Sequence, residues 1–148
     1  MIRAAAAADL AAVAGIVQDA YAPYIPRIGR PPAPMQDDHA AQIAAGWVSV
    51  ALRDGVAVGV IVLMPQPGHL LLENVAVAPA WRGHGVGAAL LRFAEAECRR
   101  LGLAEVRLYT HRLMVENIAL YERIGYLETG RGRQAGLDRV FFSKPVAP

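Results

Sequence analysis

The chain is poor in cysteine, in charge and in long apolar runs, and each shortage narrows what it can be. Its single cysteine, Cys98, has no partner for an internal disulfide, which suits a reducing compartment. With no paired histidine evident, Cys98 reads as a small side chain of a helix rather than as a nucleophile. No apolar stretch reaches the roughly 18 residues of a membrane span. The Ala-rich opening Met1–Leu10 carries only Arg3 before Asp9 and shows no apolar core followed by a cleavage pattern, so no secretory signal is expected and the expected location is the cytoplasm. Fifteen Lys and Arg against thirteen Asp and Glu leave a formal charge of +2, and the arginines are scattered from Arg3 to Arg139, which argues against nucleic-acid binding. A compact anion met by a few arginines and backbone amides fits that charge better. The histidines, His39, His69, His84 and His111, lack metal-ligand spacing, so no metal site is expected.

What is present is a hydrophobic content of 55% in 148 residues, enough for one buried core, so residues 1–148 are read as a single domain. Leu10, Val13, Ile16 and Val17 recur at helical spacing behind Asp9, which is placed to cap the first turn. Ala22 to Pro34, rich in proline, reads as an ordered surface loop. Asp37 or Asp38 opens a short helix that ends at Gly46. Trp47–Leu52 and Val56–Met64 are β-rich and join around Asp54-Gly55, a hairpin signature. Leu70–Val77, apolar on both faces except for Glu73 and Asn74, is expected in the sheet centre. A helix from Val86 to Leu101, terminated by Gly102, and a strand at Val106–Thr110 complete a βαβ unit. A short helix around Asn117–Ile124 and strands at Tyr126–Thr129 and Arg139–Lys144, around a loop holding Gly132 and Gly136, follow. The expected fold is α/β: a central mixed sheet flanked by helices, with an exposed edge that would allow a homodimer through the final strands.

The run from Val75 to Gly87 leaves a central strand and enters a helix through Gly83, Gly85 and Gly87. Glycines let the backbone approach a ligand, and the first amides of the helix lack internal acceptors, so with Arg82 they form a site for a pyrophosphate. Two other phosphate motifs fail on residues. The dinucleotide fingerprint needs an acid at the end of the next strand, where Tyr109-Thr110-His111 stands; a P-loop needs Gly-Lys-Ser/Thr, where Gly87-Ala88-Ala89 stands.

Arg82-x-x-Gly85-x-Gly87 after a Val-Ala-Val strand resembles the acetyl-CoA motif of the GCN5-related N-acetyltransferase (GNAT) family. Glu116-Asn117-Ile118-Ala119-Leu120-Tyr121-Glu122-Arg123-Ile124-Gly125-Tyr126 resembles that family's second motif, so the resemblance covers Leu70 to Tyr126. It implies acetyl transfer from acetyl-CoA to an amine, with Arg82, Gly83, His84, Gly85, Val86 and Gly87 around the CoA pyrophosphate. It also implies a splayed strand at Val75, Ala76 and Val77 for the pantetheine arm and thioester oxygen, Asn117 on that arm, and Tyr121 near the sulfur.

Amide formation from a thioester needs a neutral amine and a proton for the leaving thiolate. Tyr121 is the candidate acid. Glu73, interrupting an apolar strand, and His111, at the end of the next strand, are the candidate bases. Tyr21, Tyr24 and Arg27 are expected to line the acceptor's entrance, with Arg27 or Arg30 attracting a carboxylate-bearing amine. The expected acceptor is a small-molecule primary amine; a protein or peptide amine, or CoA binding without catalysis, are the alternatives.

Overall fold

Three antiparallel strands, β2 (Val48–Arg53), β3 (Val56–Gln66) and β4 (His69–Val77), run from near one edge of a sheet to its centre, and their β-branched residues can be buried on both faces. Asp54 and Gly55 join β2 to β3 with positive φ of 53° and 77°, the conformation of a tight hairpin turn. The computed structural model describes residues 1–147; Pro148, the last position of the expected domain, lies outside the described residues. Before β2 come β1 (Ile2–Ala4), α1 (Leu10–Tyr21), α2 (Ile25–Ile28) and α3 (His39–Ala44). After β4 come α4 (Val86–Arg100), β5 (Glu105–His111), α5 (Val115–Ile124), β6 (Leu127–Gln134) and β7 (Leu137–Pro145). The strands form one seven-stranded sheet in the order β1-β2-β3-β4-β5-β7-β6, in which only β4 and β5 are parallel.

Helices cover both faces. Val13, Ile16 and Val17 of α1 and Ile43 of α3 bury against Val48, Val50, Val60 and Val62 on one side. Val86, Leu90, Leu91 and Ala94 of α4 and Tyr121 of α5 bury against Ile61, Leu70, Val106 and Phe142 on the other. Among the described residues no helix is long and apolar enough to cross a membrane.

Several expectations are corrected. Asp9 does not cap α1 with its side chain: its carboxylate accepts from the Ala6 amide at 2.7 Å and pairs with Arg3 at 2.8 Å, which together hold it at a pKa of about 2. Ala22–Pro34 is not irregular throughout. It holds a 3₁₀ turn at Ala22–Tyr24 and the single-turn α2, and a second 3₁₀ turn spans Ala33–Gln36, because proline suits the first helical positions. The strand β1, unexpected from the Ala-rich start, pairs with β2. Gly132 lies inside β6, and the final hairpin turns instead at Ala135-Gly136. Asp38 does cap α3, accepting from the Ala41 amide at 3.0 Å.

One irregularity divides β4 in two. Opposite β3, Asn74 pairs with Val62 and Leu72 with Leu63, so Glu73 is an extra residue with no partner, a β-bulge. Before the bulge Leu70 and Leu72 face α4; after it Asn74 and Ala76 are buried on the α1 side. The parallel pairing of β4 with β5 runs only from His69–Glu105 to Leu72–Leu108. From Glu73 onward the two strands part.

Candidate active site

The parting of β4 from β5 leaves the backbone of Glu73–Val77 without a strand partner on that side. Val75 and Val77 pack their side chains toward α4 and Ala76 is buried toward α1, so what this segment offers the gap is backbone. At its end Pro79–Trp81 form a 3₁₀ turn, Gly83 and Gly85 take φ of 78° and 80°, and α4 begins at Val86. The six amides from Gly83 to Ala88 donate to no acceptor among the described residues; the first internal bond of the helix is Ala89 N to Gly85 O, at 3.0 Å. Six donors at the positive end of a four-turn helix make a strong anion site. Two contacts fix its position. Gly59 of β3 lets Val86 and Leu90 sit directly on the sheet, and Gly87 lies between Val77 of β4 and Leu120 of α5. Arg82 turns its guanidinium back to Ala20 O (3.3 Å), and His84 Nδ1 lies 3.0 Å from Arg82 O.

A narrow cleft, open to solvent, enters the gap between the strands. Tyr21, Glu73, Val75, His111, Asn117 and Tyr121, all expected at the site from the sequence, line it. Asn117 and Tyr121 are one helical turn apart on α5 and so present the same face. Tyr121 is 4% exposed and packs edge-on against Tyr126, and burial pushes its hydroxyl well above the usual tyrosine pKa. Glu73 accepts the Tyr109 hydroxyl at 3.0 and 3.1 Å, and burial raises its carboxyl pKa despite that bond. Tyr109 is pushed up to about 12, by burial first and by the Glu73 charge second. His111 Nδ1 accepts the Leu113 amide at 3.1 Å, so the proton of the neutral ring sits on Nε2; burial lowers its pKa and favours that neutral form. The Tyr21 hydroxyl donates to Val75 O at 2.9 Å and lies 2.8 Å from the Asn74 carboxamide. One hydroxyl carries one proton, and Asn74 Nδ2 is buried and otherwise unpaired among the described residues, so the amide is better turned to donate to the Tyr21 oxygen.

Tyr24 and Arg27 do not reach the cleft. Arg27 forks onto both Glu116 oxygens at 2.8 and 3.1 Å and onto Leu113 O, and Tyr24 joins Glu116 at 3.4 Å, drawing the Glu116 pKa down to about 2. Arg30 donates to Ala135 O. These bonds strap the Ala22–Gln36 segment to α5 and to the β6–β7 turn, while its Ile28, Pro32, Ala33 and Pro34 roof the cleft. Sequence reasoning missed Tyr109 and Arg139, which also line it. Tyr109 was within reach, since residues two apart on a strand share a face and His111 stands two positions further on.

The sheet and helices that frame this cleft have counterparts in known proteins. The model of the acetyltransferase (GNAT) family matches residues 13–126. The chain belongs to this family. It is 33% identical over 101 residues to the IAA acetyltransferase of Azospirillum brasilense, covering 66% of each protein. It is also 33% identical over 86 residues to the probable N-acetyltransferase 14 of Xenopus tropicalis, covering 57% of this chain and 41% of that one. The match thus spans less than two-thirds of either relative's own length. The crystal structure of PaiA N-acetyltransferase from Thermoplasma acidophilum in complex with coenzyme A superposes with a TM-score of 0.82 at 19% identity, covering 98% of both chains. That likeness establishes the GNAT fold.

Proposed function

We propose that this chain is an N-acetyltransferase, a single domain that moves an acetyl group from acetyl-CoA to the primary amine of a small acceptor. The observation that carries this reading is the set of six free amides at the head of α4, opening beside the gap between β4 and β5. Amides in that number suit a pyrophosphate, and left-handed glycines at positions 83 and 85 keep side chains clear of it. The free edge of β4 at Val75–Val77 suits an extended amide-bearing arm, as in strand addition, with Asn117 beside it. Acetyl-CoA, when bound, supplies an activated thioester.

The chain's own residues would do the rest. Glu73, whose carboxyl pKa burial raises, takes the proton that an ammonium acceptor must lose before it can attack. We prefer it to His111 because the basic nitrogen of that ring is engaged by the Leu113 amide, leaving an N–H facing outward. Tyr121 keeps its proton at all working pH values and can give it to a leaving thiolate. The roof over the cleft, strapped by Arg27 and Arg30, favours a small acceptor over a folded protein. The buried thiol of Cys98 fits the reducing conditions of the cytoplasm, which we take as the location.

Calorimetric titration with acetyl-CoA and CoA, beside an Arg82→Ala, Gly85→Asp double variant, tests the reading. Wild-type binding that the folded variant loses, followed by CoA release with an amine panel, is the expected result. A wild type that binds neither ligand overturns the proposal, and binding without turnover of any amine restricts it to a CoA-binding module.

A further inference from the structure

Building on the acetyltransferase reading, the geometry points to an acceptor that carries a carboxylate beside its amine, held by Arg139 and His111 on the β5–β7 wall of the cleft. Arg139 is the cleft's one arginine among the described residues. Its guanidinium carbon lies 4.2 Å from the centre of the Tyr109 ring, and Nη1 donates to Gln134 Oε1 at 2.8 Å. Those two contacts hold the group in place while using one of its five N–H bonds. No carboxylate lies within ion-pairing distance of it among the described residues, whereas Arg27 and Arg112 nearby are each paired, with Glu116 and Asp138.

Two further features aim this cation at a ligand. His111 and Arg139 are direct cross-strand partners on β5 and β7, and both line the cleft. The Leu113 amide fixes the imidazole proton on Nε2, so His111 adds a second N–H donor beside the guanidinium fork. Tyr109 then spaces two opposite charges: its hydroxyl is bonded to Glu73 and its ring face carries Arg139. A carboxylate and a guanidinium kept apart by one phenol ring, each open to the same cleft, match a short zwitterion, with its ammonium at Glu73 and its carboxylate across the Arg139 fork. This moves the carboxylate-recognition role expected of Arg27 or Arg30 onto a residue that faces the cleft.

The test uses amino acids and their carboxamides, pairs that share the amine and differ in the anion. In the first arm they are titrated into the cofactor-free protein, with binding read by calorimetry and by amide NMR shifts. The wild type should bind the carboxylate member about 10- to 100-fold more tightly, the range for a charge-assisted bidentate contact. Arg139→Gln should reduce that ratio to about threefold or less, and Arg139→Lys, which keeps the charge but not the fork, should keep part of it. In the second arm the same ratio should appear in kcat/KM for CoA release, expressed through KM. Equal affinity for the two members, no binding of either, or a preference that survives in Arg139→Gln overturns the assignment. Failure to bind acetyl-CoA would instead remove the acetyltransferase reading, while the affinity ratios of the first arm would still decide the role of Arg139.

Discussion

Replacing Gly59 by alanine tests whether the anion site is held in place by the packing of α4 on β3. A methyl at position 59 would lie 2.8 Å from Val86 Cγ1, 3.0 Å from Leu90 Cδ1 and 3.4 Å from Ala51 Cβ, and all three neighbours are essentially fully buried. Gly59 is not among the residues with positive φ, so the cost is overcrowding alone. Inserting one carbon into a packed core costs about 1–3 kcal/mol, and loss of glycine's freedom in the unfolded chain returns about 0.4–1 kcal/mol. The net expectation is about 1–2 kcal/mol, or a melting temperature lower by roughly 2–8 °C in a domain of this size. Helix α4 must shift away from the sheet, and its first residues carry the free amides of the anion site. Acetyl-CoA affinity should therefore fall by about tenfold or more, the scale of one weakened hydrogen bond to a charged group.

The partner substitution Val86→Ala makes the reasoning refutable. Alone it removes two buried methyl groups, costing about 1.6 kcal/mol or more. In the Gly59→Ala, Val86→Ala double variant the new methyl occupies the space vacated by Val86 Cγ1, so the double should be at least about 1 kcal/mol more stable than the sum of the singles. Urea unfolding of the four proteins measures this cycle. A Gly59→Ala midpoint equal to that of the wild type, or strictly additive singles, would show that the helix does not rest on Gly59 as described.

The other predictions concern the cleft. Tyr121→Phe should lower kcat by about 10²- to 10⁴-fold with little change in KM or melting temperature, since the hydroxyl has no hydrogen-bond partner among the described residues while the ring packs on Tyr126 and Phe142; a retained kcat would remove its role as acid. Glu73→Gln should lower kcat/KM and abolish its acid limb, because in the wild type the base is lost as pH falls through the raised pKa of Glu73. Stability should run the other way: with a folded pKa above the unfolded one, Glu73 favours folding below the ordinary carboxylate range and loses that contribution as pH rises through the folded value, so Glu73→Gln should be more stable than the wild type at pH 8 and equal to it in acid, as denaturant unfolding at the two pH values would show.

The βαβ unit was legible because its signals are local. The apolar stripe of Val86, Leu90 and Ala94 fixes α4, Gly102 follows its end, and the glycines before it adopt the positive φ that their type allows. Features that depend on pairing were not. Three residues of β1 carry too short a pattern to read, and exist as a strand because β2 offers an edge. The Ala22–Gln36 segment is tied to α5 by Arg27 on Glu116, a contact 89 residues away in sequence. Arg139 joins the site because β7 lies antiparallel against β5, and its role emerges only when His111 is seen opposite it.

Glu73 shows why a residue can be picked out correctly for an incomplete reason. From sequence it is a charge interrupting an apolar strand; in the fold it is the extra residue of a bulge. Were Glu73 paired regularly instead of bulged, the two-residue alternation would carry Asn74 and Ala76 to the α4 face, leaving Tyr21 without the carboxamide it now meets. The bulge also falls where pairing with β5 stops, so the same single residue switches the strand's faces, marks the opening of the gap and supplies its carboxylate. Deleting Glu73 should thus do more than remove a base, because the gap into which the cleft opens depends on the irregularity that Glu73 creates.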